Sequence, residues 1–259
     1  MIYVWLLTTG LLTGGLSALL GIGGGIFLVP LLTLLFKLPI RTAIGTSLVG
    51  IIATSAGVAA FSSHEYRGDL SLALRLEVAT TAGALAGSLL SGWVNEKFLE
   101  LLFAGVTFFT AAYMLIKARR NRTEQNQENN SMFRRDYHPQ HWLSGLSMAG
   151  LAGALSGLLG VSGGFIKVPT MYSIMDVPLG IATATSSIMV GITAAASVFI
   201  YYARGDIHPL VVIPVAVGDF LGASIGYQLL PNLKVAWLRT AMVALLTILG
   251  IQMLSKTFI

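Results

Sequence analysis

The sequence predicts an all-α polytopic membrane protein built as two inverted-topology repeats, each a broken-helix hairpin followed by three spanning helices. Three observations carry that prediction. The chain of 259 residues is 55% hydrophobic and only 10% charged, where a soluble domain carries about a quarter charged residues. One packed core cannot hide that much apolar surface from water, and a bilayer can. Apolar segments come in two sets of five divided by a polar stretch, and a glycine-rich motif stands at the same place in both sets. An outer-membrane barrel is excluded by pattern, because its strands alternate in polarity over about ten residues.

The first set runs Ile2 to Leu20, Gly24 to Phe36, Ala43 to Ser62, Leu70 to Val94 and Phe98 to Ile116. The second runs His141 to Leu159, Gly163 to Met175, Ile181 to Ala203, Ile207 to Leu230 and Lys234 to Leu254. The opening segment is read as a retained helix and not a signal peptide, since the first Lys is Lys37 and no basic n-region precedes the apolar run. The second segment of each set has only 13 residues, whereas a hydrocarbon core of about 30 Å needs about 20 helical residues. It reads as one arm of a hairpin that turns inside the membrane, where protein or a water-filled cavity satisfies the bared backbone. A short tilted helix packed in the bundle is the alternative. Residues 1–117 thus form a first membrane repeat and 141–259 a second. Residues 118–140, rich in Asn, Gln, Arg and Glu, form a linker with too few apolar side chains to offset the entropy of ordering it.

The halves are copies. Laid over one another at a constant offset of 139, Gly14 to Ser47 and Gly153 to Ser186 are identical at 14 of 34 positions. These include Pro30 with Pro169 and Pro39 with Pro178, which composition alone would not bring into register. A Gly-Asp pair recurs later, Gly68-Asp69 against Gly205-Asp206, at an offset of 137. Five segments per half is an odd number, so the second copy enters the membrane upside down. Six of the 16 basic residues lie in the linker region, and placing that region in the cytoplasm leaves nine basic residues inside against five outside. This is the sense that short basic loops favour, with both chain termini outside. Trp5, Trp93, Trp142 and Trp237 lie near segment ends, as interfacial anchors do.

The same clustering explains the net charge of +5 without a nucleic-acid partner. With no Cys and four scattered His, the chain offers no disulfide, thiol chemistry or metal-ligand spacing. No cofactor, metal or catalytic residue is expected, and an enzyme is not.

The repeated motif reads Gly21-Ile22-Gly23-Gly24-Gly25-Ile26-Phe27-Leu28-Val29-Pro30 and Gly160-Val161-Ser162-Gly163-Gly164-Phe165-Ile166-Lys167-Val168-Pro169. It is not a dinucleotide fingerprint, because Ile26 stands where the final glycine belongs, nor a phosphate-binding loop, because it lacks Gly-Lys-Ser/Thr. Two readings remain. Glycines let helices approach closely. Alternatively, a break followed by a short helix leaves about four N–H groups bare beside a partial positive charge, and two such starts form an anion site. On that reading Gly23, Gly24, Gly25, Ser162, Gly163 and Gly164 bring backbone to the ligand. Thr46, Ser47, Thr185 and Ser186, at the start of the next helices, add hydroxyls unless they bond back to the preceding helical turn.

Lys167 falls in the first turn of the second short helix, where the dipole disfavours a cation without a partner. A bound anion or Asp219 is the expected partner. Asp219 is a coupling candidate because an acid well inside a span usually pairs or lines a pathway. Snorkelling of Lys167, with Asp219 facing a water-filled crevice, is the plainer alternative. Leu28 and, loosely, Ala84 hold the corresponding places in the first half, so these charges break the symmetry. Glu77, a second coupling candidate, lies with Arg75 about 10 Å into its helix, and the two read as snorkelling groups or guards of a cytoplasmic entrance.

At these residues the sequence resembles the TauE/SafE family of membrane proteins, the sulfite exporter or toluene-sulfonate uptake family, over nearly the whole chain. The resemblance rests on Gly21 to Gly25 with Pro30, on Ala43-Ile44-Gly45-Thr46-Ser47, and on their echoes through Gly160 to Pro169 and Ala182 to Ser186. It implies a secondary transporter or exporter moving small sulfur oxyanions or organosulfonates across the bacterial cytoplasmic membrane. Ser162 in place of Gly23, and Lys167 in one copy only, depart from the symmetric pattern. No ATP-binding motif is present, so a gradient would supply the driving force. Two other classes remain open, a membrane-embedded scaffold or sensor subunit and a cation channel, and the pattern is compatible with a homo-oligomer.

Overall fold

The computed structural model describes residues 1–20, 24–61, 68–124, 137–229 and 235–258, and the regular structure among them is all α-helical. Ten helices follow in order: α1 (Ile2–Leu20), α2 (Gly25–Leu34), α3 (Ile40–Phe61), α4 (Leu70–Ser91), α5 (Glu96–Glu124), α6 (Trp142–Leu159), α7 (Gly164–Ser173), α8 (Leu179–Ala203), α9 (Pro209–Leu229) and α10 (Val235–Phe258). Each expected apolar segment is a helix. The largest differences lie at proline and in the linker. α3 and α8 begin directly after Pro39 and Pro178, two or three residues before the expected starts, because proline suits a helix start and not its interior. α5 runs on to Glu124, seven residues beyond the expected edge of the linker at 117.

By length and composition, five helices among the described residues can cross a membrane, within α1, α3, α6, α8 and α9. α4 has 22 residues, enough to span, but Arg75 and Glu77 lower its hydropathy. α2 and α7 have ten residues each, about 15 Å of helix, half of a hydrocarbon core.

Four pairs of helices start 139 residues apart: Gly25 and Gly164, Ile40 and Leu179, Leu70 and Pro209, Glu96 and Val235. The two-residue slip seen at Gly-Asp is therefore local. Ile207 and His208 separate Asp206 from α9, whereas Asp69 directly precedes α4 and caps it by accepting the Leu72 N–H.

Glycine sets how the helices touch. A Cβ placed on Gly218, Gly222 or Gly226 of α9 would collide with the backbone carbonyls of Leu7, Leu11 and Gly15 of α1 in turn. On α6, Gly153 and Gly157 meet the carbonyls of Thr80 and Ala84 of α4 in the same way. In both pairs the register rises on both helices together, so α1 runs parallel to α9 and α6 parallel to α4. Small residues spaced four apart let the backbones of apolar helices come into contact where no hydrophobic force between helices operates. α3 crosses α8 in the opposite sense, with Ser55 bonding the Ser187 carbonyl and Gly45 beside Tyr201. α5 and α10 are also antiparallel, joined by Lys256 with Glu100 at 2.8 Å and by Gly250 against Phe108.

These contacts also correct one correspondence. Gly14 packs on Asp219 as Gly153 packs on Thr80, so the counterpart of Asp219 is Thr80 and not Ala84.

Two arginines bond the backbone at and just beyond the end of α4. Arg204 donates to the Ser88 carbonyl and the Ser91 hydroxyl, pairs with Asp206 and lies 4.4 Å from the Tyr201 ring centre. Arg41 donates to the carbonyls of Gly92 and Val94 at 3.1 and 2.9 Å. Two of the five basic residues expected outside are therefore helix-end partners. Trp93 is almost fully exposed and Trp5 largely so, as interfacial anchors require, while Trp142 lies 5.4 Å from the Arg75 guanidinium. The side chain of Trp237 lies outside the described residues.

Candidate functional site

The two glycine breaks meet. α6 ends on Gly160, whose φ of +65° closes the helix in the left-handed conformation that glycine adopts without strain. Its carbonyl accepts the Ser47 hydroxyl at 2.7 Å. A Cβ on Gly25, the first residue of α2, would collide with that carbonyl and lie 2.7 Å from Ser47 Oγ. A Cβ on Gly163 would lie 2.9 Å from the Ala152 carbonyl oxygen, and one on Gly24 3.6 Å from that of Thr13. Gly25, Gly160 and Gly163 therefore allow close backbone approach, so the packing reading of the motif holds at these positions. Gly23 lies outside the described residues.

Both short helices start on a glycine. Neither Gly24 nor Gly163 supplies a side-chain cap. The N–H groups of Phe27 and Leu28 bond Gly24, and those of Ile166 and Lys167 bond Gly163. Those of Gly25, Ile26, Gly164 and Phe165 take no backbone acceptor among the described residues. These are the orphan donors that a helix start leaves over.

The four candidate hydroxyls next to these starts are fully buried and divide asymmetrically. Ser47 bonds Gly160, and Thr185 accepts the Asp69 N–H at 2.9 Å. Thr46 Oγ1 and Ser186 Oγ have no hydrogen-bond partner among the described residues, nor has Ser17 Oγ. Buried polar atoms are nearly always bonded, so these three hydroxyls are exceptions, and Ser17 Oγ lies 3.8 Å from a Cβ built on Gly24 at the start of α2. Ser162 is buried as well, 1% exposed.

Lys167 is 2% exposed, which excludes snorkelling. Its ammonium donates to Thr193 Oγ1 of α8 at 2.9 Å and faces Glu77 Oε2 of α4 at 3.9 Å. Thr193 has one hydroxyl proton to donate, and its Oγ1 lies 2.7 Å from both Glu77 Oε1 and the Met189 carbonyl oxygen. Thr81 adds a bond to Glu77 Oε1 at 3.1 Å. The partner of Lys167 is thus Glu77, and Asp219 is not part of this cluster. Glu77, 5% exposed, is also no surface guard. α6 and α8 cover this face of α4, so a position about 10 Å along the helix lies inside the protein. The pair is loose. An ammonium has three donors, of which the Thr193 bond takes one, and Glu77 Oε2 accepts no hydrogen bond.

Asp219 is 1% exposed and lies between α9, α1 and α3. Thr13 donates to its Oδ1 at 2.8 Å, and Oδ2 has no partner. An open hollow of about 480 Å³ lies apart from these groups, between the end of α2 and α10, at Leu34, Leu35, Gln252, Ser255 and Lys256.

Sequence reasoning did not single out Thr193, Thr13 or Ser17. Thr193 left one faint signal, since Thr54 matches it at the 139 offset. The Thr13 counterpart is Ala152, so the repeat pattern pointed away from it.

A helical bundle with glycine-seamed spans, two half-length helices after glycine breaks and buried charge beside each of them defines a polytopic membrane transporter. The chain belongs to the family described as Sulfite exporter TauE/SafE, whose model matches residues 6–253. That is a family of membrane transporters and not of enzymes. Among curated relatives, the chain is 29% identical to "Probable membrane transporter protein YdhB" of Bacillus subtilis, over 94% of this chain and 96% of the relative. It is 25% identical to "Probable membrane transporter protein YunE" of the same organism, over 98% of both. To "Probable membrane transporter protein MJ0441" of Methanocaldococcus jannaschii it is 24% identical, over 96% of this chain and 94% of the relative. No solved structure matches the chain.

Proposed function

We propose that the protein is a secondary transporter for a small sulfur-containing anion, sulfite, thiosulfate or an organosulfonate, across the cytoplasmic membrane. The observation that carries the reading is Lys167, a cation buried in the first turn of a helix that starts at a break, with donors to spare. The bare N–H groups of α2 and α7, with Gly23, Gly24, Gly25, Ser162, Gly163 and Gly164 around them, are its backbone counterpart. Thr46 and Ser186 supply free hydroxyls, and Ser47 and Thr185 hold the neighbouring turns in place. Together these groups replace the hydration that an oxyanion loses on leaving water. The choice of a sulfur anion rests on the family description.

The inverted relation of the halves is supported by the copies themselves, since α3 runs opposite to α8 and α5 opposite to α10. Inverted repeats give secondary transporters two exchangeable conformations around one central site. The basic linker lies in the cytoplasm and both termini outside, in accord with the charge distribution. With no native Cys, single cysteines test this directly. Ser131→Cys in the linker should react with a membrane-impermeant maleimide only in inside-out vesicles, and Ser255→Cys only in intact cells.

Transport itself is tested with purified protein in liposomes. Labelled thiosulfate and sulfite should enter saturably and compete with one another, and inorganic cations should carry no current. A folded protein that moves no sulfur anion would fit a scaffold or sensor subunit instead.

A further inference from the structure

The fourth residue of each short helix points into a corner built from equivalent elements. Lys167 of α7 faces Thr193 of α8 and Glu77 of α4. Leu28 of α2 lies against Gly50 of α3 beside Asp219 of α9, since a Cβ on Gly50 would lie 3.0 Å from Leu28 Cδ2 and collide with Asp219 Oδ2. Each corner contains a buried carboxylate, and among the described residues only the first contains a cation. Among the described residues, the groups placed against Asp219 are Gly10, Thr13 and Gly14 from α1, Gly50 from α3 and Leu28 from α2, none of which carries charge. An ionised carboxylate left without a partner in such surroundings is costly, so Asp219 has to acquire a cation of its own.

The surroundings select which cation. A metal ion asks for several oxygen ligands. Here the described contacts place only Thr13 Oγ1, beside the carboxylate's own two oxygens, at the site, too few for such a shell. Oδ2 remains, one bare oxygen against a glycine and a leucine methyl. A proton needs only that one atom.

We infer that Asp219 is the coupling site of this transporter and that the coupled ion is a proton, bound at Oδ2 and moved in the same direction as the anion. The inference rests on the transporter reading above. Binding forms an O–H bond at Oδ2 and removes one negative charge. Release to water on the far side breaks that bond and restores the carboxylate. Proton and anion assist each other, because a neutral Asp219 does not repel an anion in the same low-dielectric core. Glu77 does not serve, since Lys167 already compensates its charge.

Liposomes loaded with a trapped pH dye decide the matter, with thiosulfate as the probe because, unlike sulfite, it stays fully ionised near neutral pH. The expected result is acidification of the interior as labelled thiosulfate enters, with faster entry when the outside is made acidic. Asp219→Asn, which mimics the neutral acid, should lose the proton signal and the pH dependence while thiosulfate–thiosulfate exchange survives. Thiosulfate entry by the wild type without proton movement would overturn the inference and leave the transporter reading standing. So would a proton signal that persists in Asp219→Asn. Absence of entry and of exchange in the wild type would overturn both.

Discussion

Lys167→Met should weaken anion binding at least about tenfold and, by itself, strip the protein of much of its stability. The substitution leaves the Glu77 carboxylate in a site where it is 5% exposed, with only the hydroxyls of Thr193 and Thr81 to accept from. Removing one partner of a buried ion pair costs about 3–5 kcal/mol. A loss of function would then not distinguish a ligand from a structural support. The double variant Lys167→Met with Glu77→Leu separates the two. Replacing a buried pair by apolar side chains of similar volume is often neutral or stabilising by about 1–4 kcal/mol, and the Thr193 hydroxyl retains the Met189 carbonyl at 2.7 Å. The double variant should therefore melt in detergent close to the wild type, yet titrate with thiosulfate at least about tenfold more weakly, a difference of about 1.4 kcal/mol. Wild-type affinity in the folded double variant would remove Lys167 from the anion site.

The second large effect concerns the seams. A Cβ on Gly153 collides with the Thr80 carbonyl and lies 2.8 Å from its carbon, both backbone atoms that cannot rotate aside. Gly153→Ala should therefore force α6 away from α4. Overpacking costs about 1–3 kcal/mol and occasionally more, and Gly14→Ala, which meets the Asp219 backbone, should cost as much. The control is Gly105 in α5, where a Cβ meets nothing within 4 Å. Gly105→Ala should be neutral or stabilising by up to about 1 kcal/mol, from helix propensity alone. Thermal unfolding of the three variants in one detergent gives the comparison, and equal melting points would show that the glycine seams do not hold the bundle together.

The ten helices were legible because each is announced by a long apolar run or, for α2 and α7, by a short one between a glycine break and the next loop. Their ends were less so, since α3 and α8 start at prolines and α5 continues into polar sequence where no hydropathy signal marks a stop. Within the candidate site, the glycine motif and its neighbouring hydroxyls stood out in the sequence because they occur twice. Residues that occur once were harder to place. Lys167 and Asp219 attracted notice as charges inside spans, but their partners, Glu77 and Thr13, are unrelated to them by the repeat.

The sequence by itself determined that this chain lives in a bilayer, that it is a duplication with a 139-residue period, and that two short helices follow two glycine breaks. Those properties are written in composition and spacing, which survive without coordinates. Only the tertiary structure decided which polar groups share a corner. Glu77 and Lys167 are 90 residues apart in the chain, and Thr13 and Asp219 are 206 apart. Such pairs are brought together by backbone contact along α4 with α6 and along α1 with α9. Sequence records the glycines that permit that contact, but not the register in which the two helices settle.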